Sequence, residues 1–350
     1  MGIGACILSV SGALLTQDER LFLSQANPWG VILMGRSCVD KTQVRRLISD
    51  IQDATGRQTL IFIDQEGGRV ARLKSPEWPK FPPAAAYGIL YEQNPTAAVN
   101  ACQLGHTLLG AELADLGIYA NCAPVADLRR DETHDSIGDR AFSTSPAAVV
   151  DLAKAALAGL KHAGVVGCLK HMPGQGRASH DSHYDLPRID ASEQELEQDF
   201  GIFAALADDA LMGMTGHVGY TAIDADSPTT VSSKVISEII RTRIGFDGLL
   251  MTDDLGMEAL GGSLRERGER AVAAGCDILL HCSGFITDEA EILAQMDEIA
   301  EAAGSLTDKA LQRASAIDET LAQAAPFDRE AAWADYEALI EPIIGAQPTA

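Results

Sequence analysis

Positive charge is scarce in this chain: 27 Lys+Arg stand against 50 Asp+Glu, a formal net charge of −23 over 350 residues. No basic face or arm offsets the imbalance. That excludes a nucleic-acid partner and an anionic membrane surface, because phosphate contacts need clustered Lys and Arg. Apart from the N-terminal stretch before Asp18, no continuously apolar run approaches the roughly 18 residues of a spanning helix. The apolar stretch from Gly2 to Leu15 has no basic segment before it and reads as a first core strand rather than a signal peptide, so a cytoplasmic protein is expected. The seven cysteines (Cys6, Cys38, Cys102, Cys122, Cys168, Cys276 and Cys282) form no C-x-x-C pair, which excludes a zinc ribbon and a disulfide framework. A phosphate cradle is missing too: no G-x-x-x-x-G-K-[ST] occurs, and Gly2-x-Gly4 has no strand before it. There is no Ser/Gly/Pro-rich linker. One domain over residues 1–344 is expected, with a fraying tail at 345–350.

What is present is a recurring pattern. Eight short apolar runs lie at Cys6 to Val10, Gly30 to Met34, Leu60 to Ile63, Ile118 to Val125, Val165 to Leu169, Leu211 to Thr215, Leu249 to Thr252 and Ile278 to Leu280. Most are continuous rather than alternating, as expected for parallel strands covered on both faces. The segments between them carry helix signals. Ser145-Pro146 predicts an N-cap and first-turn proline, Ser192 and Glu195 have capping-box spacing, and Gly245 and Gly275 predict C-caps. Eight strand–helix units fit an α/β fold of the closed (β/α)8, TIM-type barrel better than an open doubly wound sheet.

In such a barrel the chemistry sits on loops at the C-terminal ends of the strands. Five of those ends carry ionisable groups: Asp64-Gln65-Glu66, the loop holding Asp127 and Asp139-Arg140, Lys170-His171, His217, and Asp253-Asp254. Ionisable clusters in clefts are usually functional. Asp253 and Asp254 are neighbours on a strand end, so one is expected to face the axis while the other caps the following helix; periodicity does not say which. Asp181-x-His183 sets a carboxylate beside an imidazole, which suits a general acid/base, although spacing alone favours an incidental loop histidine. His180-x-x-His183 lacks further ligands at a familiar spacing, so no metal is expected. Lys170 admits three readings: a Schiff-base lysine, a donor to sugar hydroxyls, or a buried lysine paired to a carboxylate.

Four motifs, in order, resemble glycoside hydrolase family 3, in particular its single-domain β-N-acetylhexosaminidases: Ile63-Asp64-Gln65-Glu66-Gly67-Gly68-Arg69-Val70-Ala71-Arg72, Ile137-Gly138-Asp139-Arg140-Ala141-Phe142, Lys170-His171-Met172-Pro173-Gly174-Gln175-Gly176 through Asp181-Ser182-His183, and Gly245-Phe246-Asp247-Gly248-Leu249-Leu250-Met251-Thr252-Asp253-Asp254-Leu255. The resemblance implies that Asp253 is the nucleophile and that His183, oriented by Asp181, is the acid/base. It implies that Asp64, Arg72, Arg140, Lys170 and His171 line the pocket for a terminal N-acetylglucosamine. The implied function is a retaining exo-β-N-acetylglucosaminidase acting on cytoplasmic 1,6-anhydro-muropeptides in peptidoglycan recycling, without cofactor and as a monomer. The alternatives are a β-glucosidase of the same family and a Schiff-base lyase using Lys170.

Overall fold

The structure, a computed structural model, describes residues 2–180, 186–284, 286–321 and 325–344. Asp181, His183 and the 345–350 tail lie outside the described residues. Eight parallel strands close into a barrel in which each pairs with its sequence neighbours: β1 (Gly4–Leu8), β2 (Pro28–Leu33), β3 (Leu60–Ile63), β4 (Ala120–Asn121), β5 (Val166–Met172), β6 (Met212–Thr215), β7 (Leu249–Asp254) and β8 (Ile278–His281). The ring shuts where Cys6 of β1 pairs with Leu279 of β8 and Val31 of β2 with Leu8 of β1. Each expected apolar run overlaps one of these strands, with ends that differ by a few residues. Every residue of β1, β2, β3, β5, β6 and β8 is buried, which is why their sequences run continuously apolar instead of alternating.

The helical layer consists of α1 (Gln17–Ala26), α2 (Lys41–Thr55), α3 (Ala84–Gln93), α4 (Pro95–Ala114), α5 (Pro146–His162), α6 (Glu193–Leu206), a π-helix (Val235–Arg243), α7 (Leu264–Ala274), α8 (Glu289–Ala303), α9 (Asp308–Leu321) and α10 (Arg329–Ile344). Ser192 and Glu195 form the expected capping box on α6, and Gly275 ends α7 in the left-handed region at φ 114°. Ser145 stands at the N-cap of α5 but makes no side-chain cap; proline at the first turn already removes one orphan donor. Helices α4 and α5 approach closely because Gly159 has no side chain: a Cβ there would lie 2.3 Å from the Gln103 carbonyl oxygen. Full burial of side chains such as Ile7, Phe62 and Leu169 contributes about 1.5–3 kcal/mol each, so the barrel wall is a stiff base for its rim.

Two local features shape that rim. Between β3 and α3 the chain makes an antiparallel hairpin, Gln65–Gly67 with Val70–Ala71. It is fixed by a buried reciprocal pair in which the Gln65 N–H donates to Asn121 Oδ1 (3.0 Å) and Asn121 Nδ2 donates to the Gln65 carbonyl (2.8 Å). The Gln65 side chain meanwhile accepts from the backbone of Arg72 and Leu73. Second, β5 runs to Met172, so Lys170 and His171 belong to the strand itself rather than to the loop after it.

Candidate active site

The C-terminal rim surrounds a cavity of about 370 Å3 whose lining includes Asp64, Glu66, Arg72, Arg140, Lys170, His171, Asp253 and Asp254. All the expected site residues except Asp181 and His183, whose positions are not described, therefore meet in one place. The wall formed by β3, β5 and the hairpin is an ionic lattice. Lys170 Nζ lies 2.6 Å from Glu66 Oε1 and 3.3 Å from Asp64 Oδ1. Arg72 Nη2 donates to Asp64 Oδ2 at 3.0 Å, and Arg140 grips Glu66 with two bonds of 2.8 Å. Burial opposes charge on Glu66 and Asp64, but Arg140 and Lys170 for the first, and Lys170 and Arg72 for the second, hold both carboxyls below their ordinary range. Burial likewise opposes the Lys170 ammonium, yet Glu66 and Asp64 raise it above the usual lysine value. A lysine held protonated has no lone pair for a carbonyl, so the Schiff-base reading of Lys170 fails on charge. The paired-lysine reading holds, with its ammonium still facing the cavity.

His171 sits beside this lattice. Its Nδ1–H donates to Asp127 Oδ2 at 2.7 Å, and Asp127 Oδ1 also accepts from the Gln175 N–H at 2.8 Å. A carboxylate on Nδ1 fixes the tautomer and turns Nε2 inward, 4.0 Å from Asp253 Oδ2.

The opposite wall carries the two aspartates. Asp253 Oδ1 accepts from the Asp254 N–H at 2.8 Å, while Oδ2 has no hydrogen bond among the described residues. Asp254 is held by more donors, all of them at one oxygen, while its Oδ2, like that of Asp253, has no hydrogen bond among the described residues. Its Oδ1 accepts from His281 Nδ1 (3.0 Å) and from the N–H groups of Gly256 (2.9 Å) and Cys282 (3.1 Å). Burial opposes its charge, and the His281 and backbone donors outweigh burial to hold its pKa low. The expectation that the second aspartate caps the next helix is corrected: Ser263 caps α7, and Asp254 ties β7 to β8 instead. His217 supports the same turn. The Asp254 carbonyl is an acceptor, so His217 Nε2 carries the proton bonded to it (2.9 Å), and Nδ1 accepts from Thr230 (2.7 Å). Burial pushes this imidazole down, which keeps it neutral.

Sequence reasoning left four contributors without a site role: Glu66, Asp127, His217 and His281. Glu66 and Asp127 stood on the expected rim, and Glu66 lies inside a quoted motif. Their partners, Arg140 and His171, come from other strands, which spacing does not reveal. His217 stood on the expected rim as well, and His281 directly follows its apolar run, the same position that marks Asp64, so the signal was there but no role was drawn from it.

A closed (β/α)8 barrel with a polar cavity on its C-terminal rim, lined by carboxylates and by cations held ready for hydroxyl groups, defines an enzyme for a small polyhydroxylated substrate. Comparison with known proteins makes the class specific. Residues 7–316 match the glycosyl hydrolase family 3 N terminal domain. The chain is 38% identical over 287 residues to a beta-hexosaminidase of Alkalilimnicola ehrlichii, covering 81% of this chain and 82% of that one. It is 36% identical over 291 residues to a beta-hexosaminidase of Bordetella pertussis, covering 82% of each. NagZ from Neisseria gonorrhoeae, solved in complex with N-trifluoroacetyl-D-glucosamine, superposes with a TM-score of 0.83 at 28% identity over 99% of both chains. The chain belongs to glycoside hydrolase family 3.

Proposed function

We propose that this β-N-acetylhexosaminidase removes a terminal, non-reducing β-linked N-acetylglucosamine with retention of configuration. Asp253 Oδ2 attacks the anomeric carbon; the bond from that carbon to the aglycone oxygen breaks, and the leaving oxygen takes a proton from His183, held by Asp181. Water then attacks the anomeric carbon, gives its proton to His183, and releases Asp253. The natural substrate in this reading is a cytoplasmic 1,6-anhydro-muropeptide, and the reaction belongs to peptidoglycan recycling.

The observation that carries the reading is the difference between adjacent aspartates. Asp254 is tied to β8 by three donors on Oδ1, while Asp253 takes a single backbone donor and turns Oδ2 toward His171 Nε2, 4.0 Å away across the cavity, where an anomeric carbon can meet it. The sugar's hydroxyls and acetamido group meet Asp64, Arg72, Arg140, Lys170 and His171, which line the same cavity. These side chains are held by one another before substrate arrives, which lowers the ordering cost of binding. The relatives' names and the aminosugar bound in the gonococcal structure support N-acetylglucosamine over glucose.

The test is release of a chromogenic aglycone from the β-N-acetylglucosaminide and from the β-glucoside. Fast turnover of the first and slow turnover of the second are expected. Preference for the glucoside would move the enzyme to the β-glucosidases, and turnover of neither would refute the reading.

A further inference from the structure

The hairpin that brings Glu66 and Arg72 into the catalytic cavity is a wall with two faces, because successive residues of a strand point to opposite sides. Gln65, Ala71 and Leu73 face the other way, into a second cavity of about 590 Å3. Arg69, at the hairpin turn, lines both. The hairpin can separate the two because its turn lies flat on the loop behind it: Gly67, at φ 94°, would place a Cβ 2.4 Å from the Pro82 carbonyl oxygen, and the Gly68 N–H donates to the Phe81 carbonyl at 2.9 Å.

The chemistry of this second cavity departs from that of the chain as a whole. Its charged lining residues are Arg69, Lys74 and Lys80, and no carboxylate among the described residues lines it, although Asp+Glu outnumber Lys+Arg by 50 to 27. Phe81, Pro82 and Pro83 give it an apolar side. Lys74 and Lys80 are exposed and, unlike the cations of the catalytic cavity, their ammonium groups have no ion pair or hydrogen bond among the described residues. Glu77, the one carboxylate between positions 74 and 83, is turned away to accept from the Lys41 N–H at 3.2 Å. Two unpaired lysines beside an apolar surface, next to the mouth of a sugar pocket, are complementary to a ligand that joins carboxylate to apolar groups.

We propose that this cavity is a subsite for the aglycone, and that it binds a carboxylate-bearing group attached to the sugar being released. The proposal rests on the catalytic cavity being the site of the terminal sugar and deepens that reading: it makes the preferred substrate an anion. A net charge of −23 repels such a substrate at long range, and the lysine pair reverses the local field at the entrance. Substrates with neutral aglycones gain nothing from it.

The test uses the full chain and a Lys74→Gln/Lys80→Gln double variant, neither residue belonging to the catalytic machinery. Three substrates are compared: a neutral aryl β-N-acetylglucosaminide, N-acetylglucosamine β-linked to a muramic-acid peptide with free carboxylates, and that compound with its carboxylates amidated. The expected result is a KM for the acidic substrate raised roughly three- to tenfold, the range two solvent-exposed ion pairs supply, with a weaker salt dependence than in the parent. The neutral aryl glycoside and the amidated substrate should keep their parent kcat and KM. An unchanged KM for the acidic substrate, or an equal rise for all three, would overturn the proposal. Failure of the unmodified enzyme to turn over the aryl glycoside would instead count against the catalytic reading. In that event, equilibrium binding of the acidic compound to the two proteins, tighter to the parent or equal, still decides the subsite.

Discussion

The two walls of the catalytic cavity use carboxylates in opposite ways. On the side of β3, β5 and the hairpin, Asp64 and Glu66 are locked to Lys170, Arg72 and Arg140. On the side of β7 and β8, Asp254 is locked to His281 and two backbone donors, while Asp253 takes one backbone donor and directs Oδ2 toward His171. Charges that are paired and buried can recognise and orient a sugar, but their electron pairs are already engaged. The contrast teaches that the reactive group is identified by how lightly it is held, by one backbone N–H, against neighbours held by several donors or cations.

The comparison breaks most completely at Asp253. Asp253→Ala should lower kcat by about a thousandfold or more, the loss typical of removing a nucleophile. Asp254→Asn keeps the shape but weakens the bond from His281, lets Asp253 drift, and should cost about ten- to a hundredfold in kcat with little change in KM. Equal losses at the two positions, in steady-state assays run side by side, would show that the number of donors on each carboxylate does not distinguish them.

A smaller effect on rate is expected from the lattice. Lys170→Met leaves Glu66 and Asp64 short of a cation; it should raise KM and destabilise the fold by about 3 kcal/mol. The folded-state pKa values of both carboxyls lie below their unfolded values, so the lattice contributes its stability above the ordinary carboxyl range and loses it as pH falls through and below that range. Thermal melts of parent and variant should therefore differ most near neutral pH and converge below about pH 4. A gap that persists or widens in acid would mean that Lys170 acts by packing rather than by charge.

Much of the fold was legible because a parallel barrel leaves a coarse signature. Strands buried on both faces must be continuously apolar, and the eight runs, including Val165 to Leu169 and Leu249 to Thr252, each overlap a strand. The hairpin from Gln65 to Ala71 was not legible, since three- and two-residue strands are too short to show alternation. The site divides the same way. Asp64, Lys170 and Asp253 each follow or end an apolar run, so their common rim could be read from position. Asp127 against His171, Glu66 against Arg140 and Asp254 against His281 join residues far apart in sequence, and only closure of the barrel brings them within hydrogen-bond reach. The choice between Asp253 and Asp254 is of this second kind, because it depends on which carboxylate His281 occupies.

The most direct test of the central claim is to trap the glycosyl-enzyme with a fluorinated N-acetylglucosamine analogue bearing a good leaving group, and to locate the label by peptide mass spectrometry. The account predicts one equivalent of label, on Asp253, with none on the Asp253→Ala variant. Label on Asp254 or on another residue, or release of the leaving group with no covalent adduct under conditions that accumulate one, would contradict it.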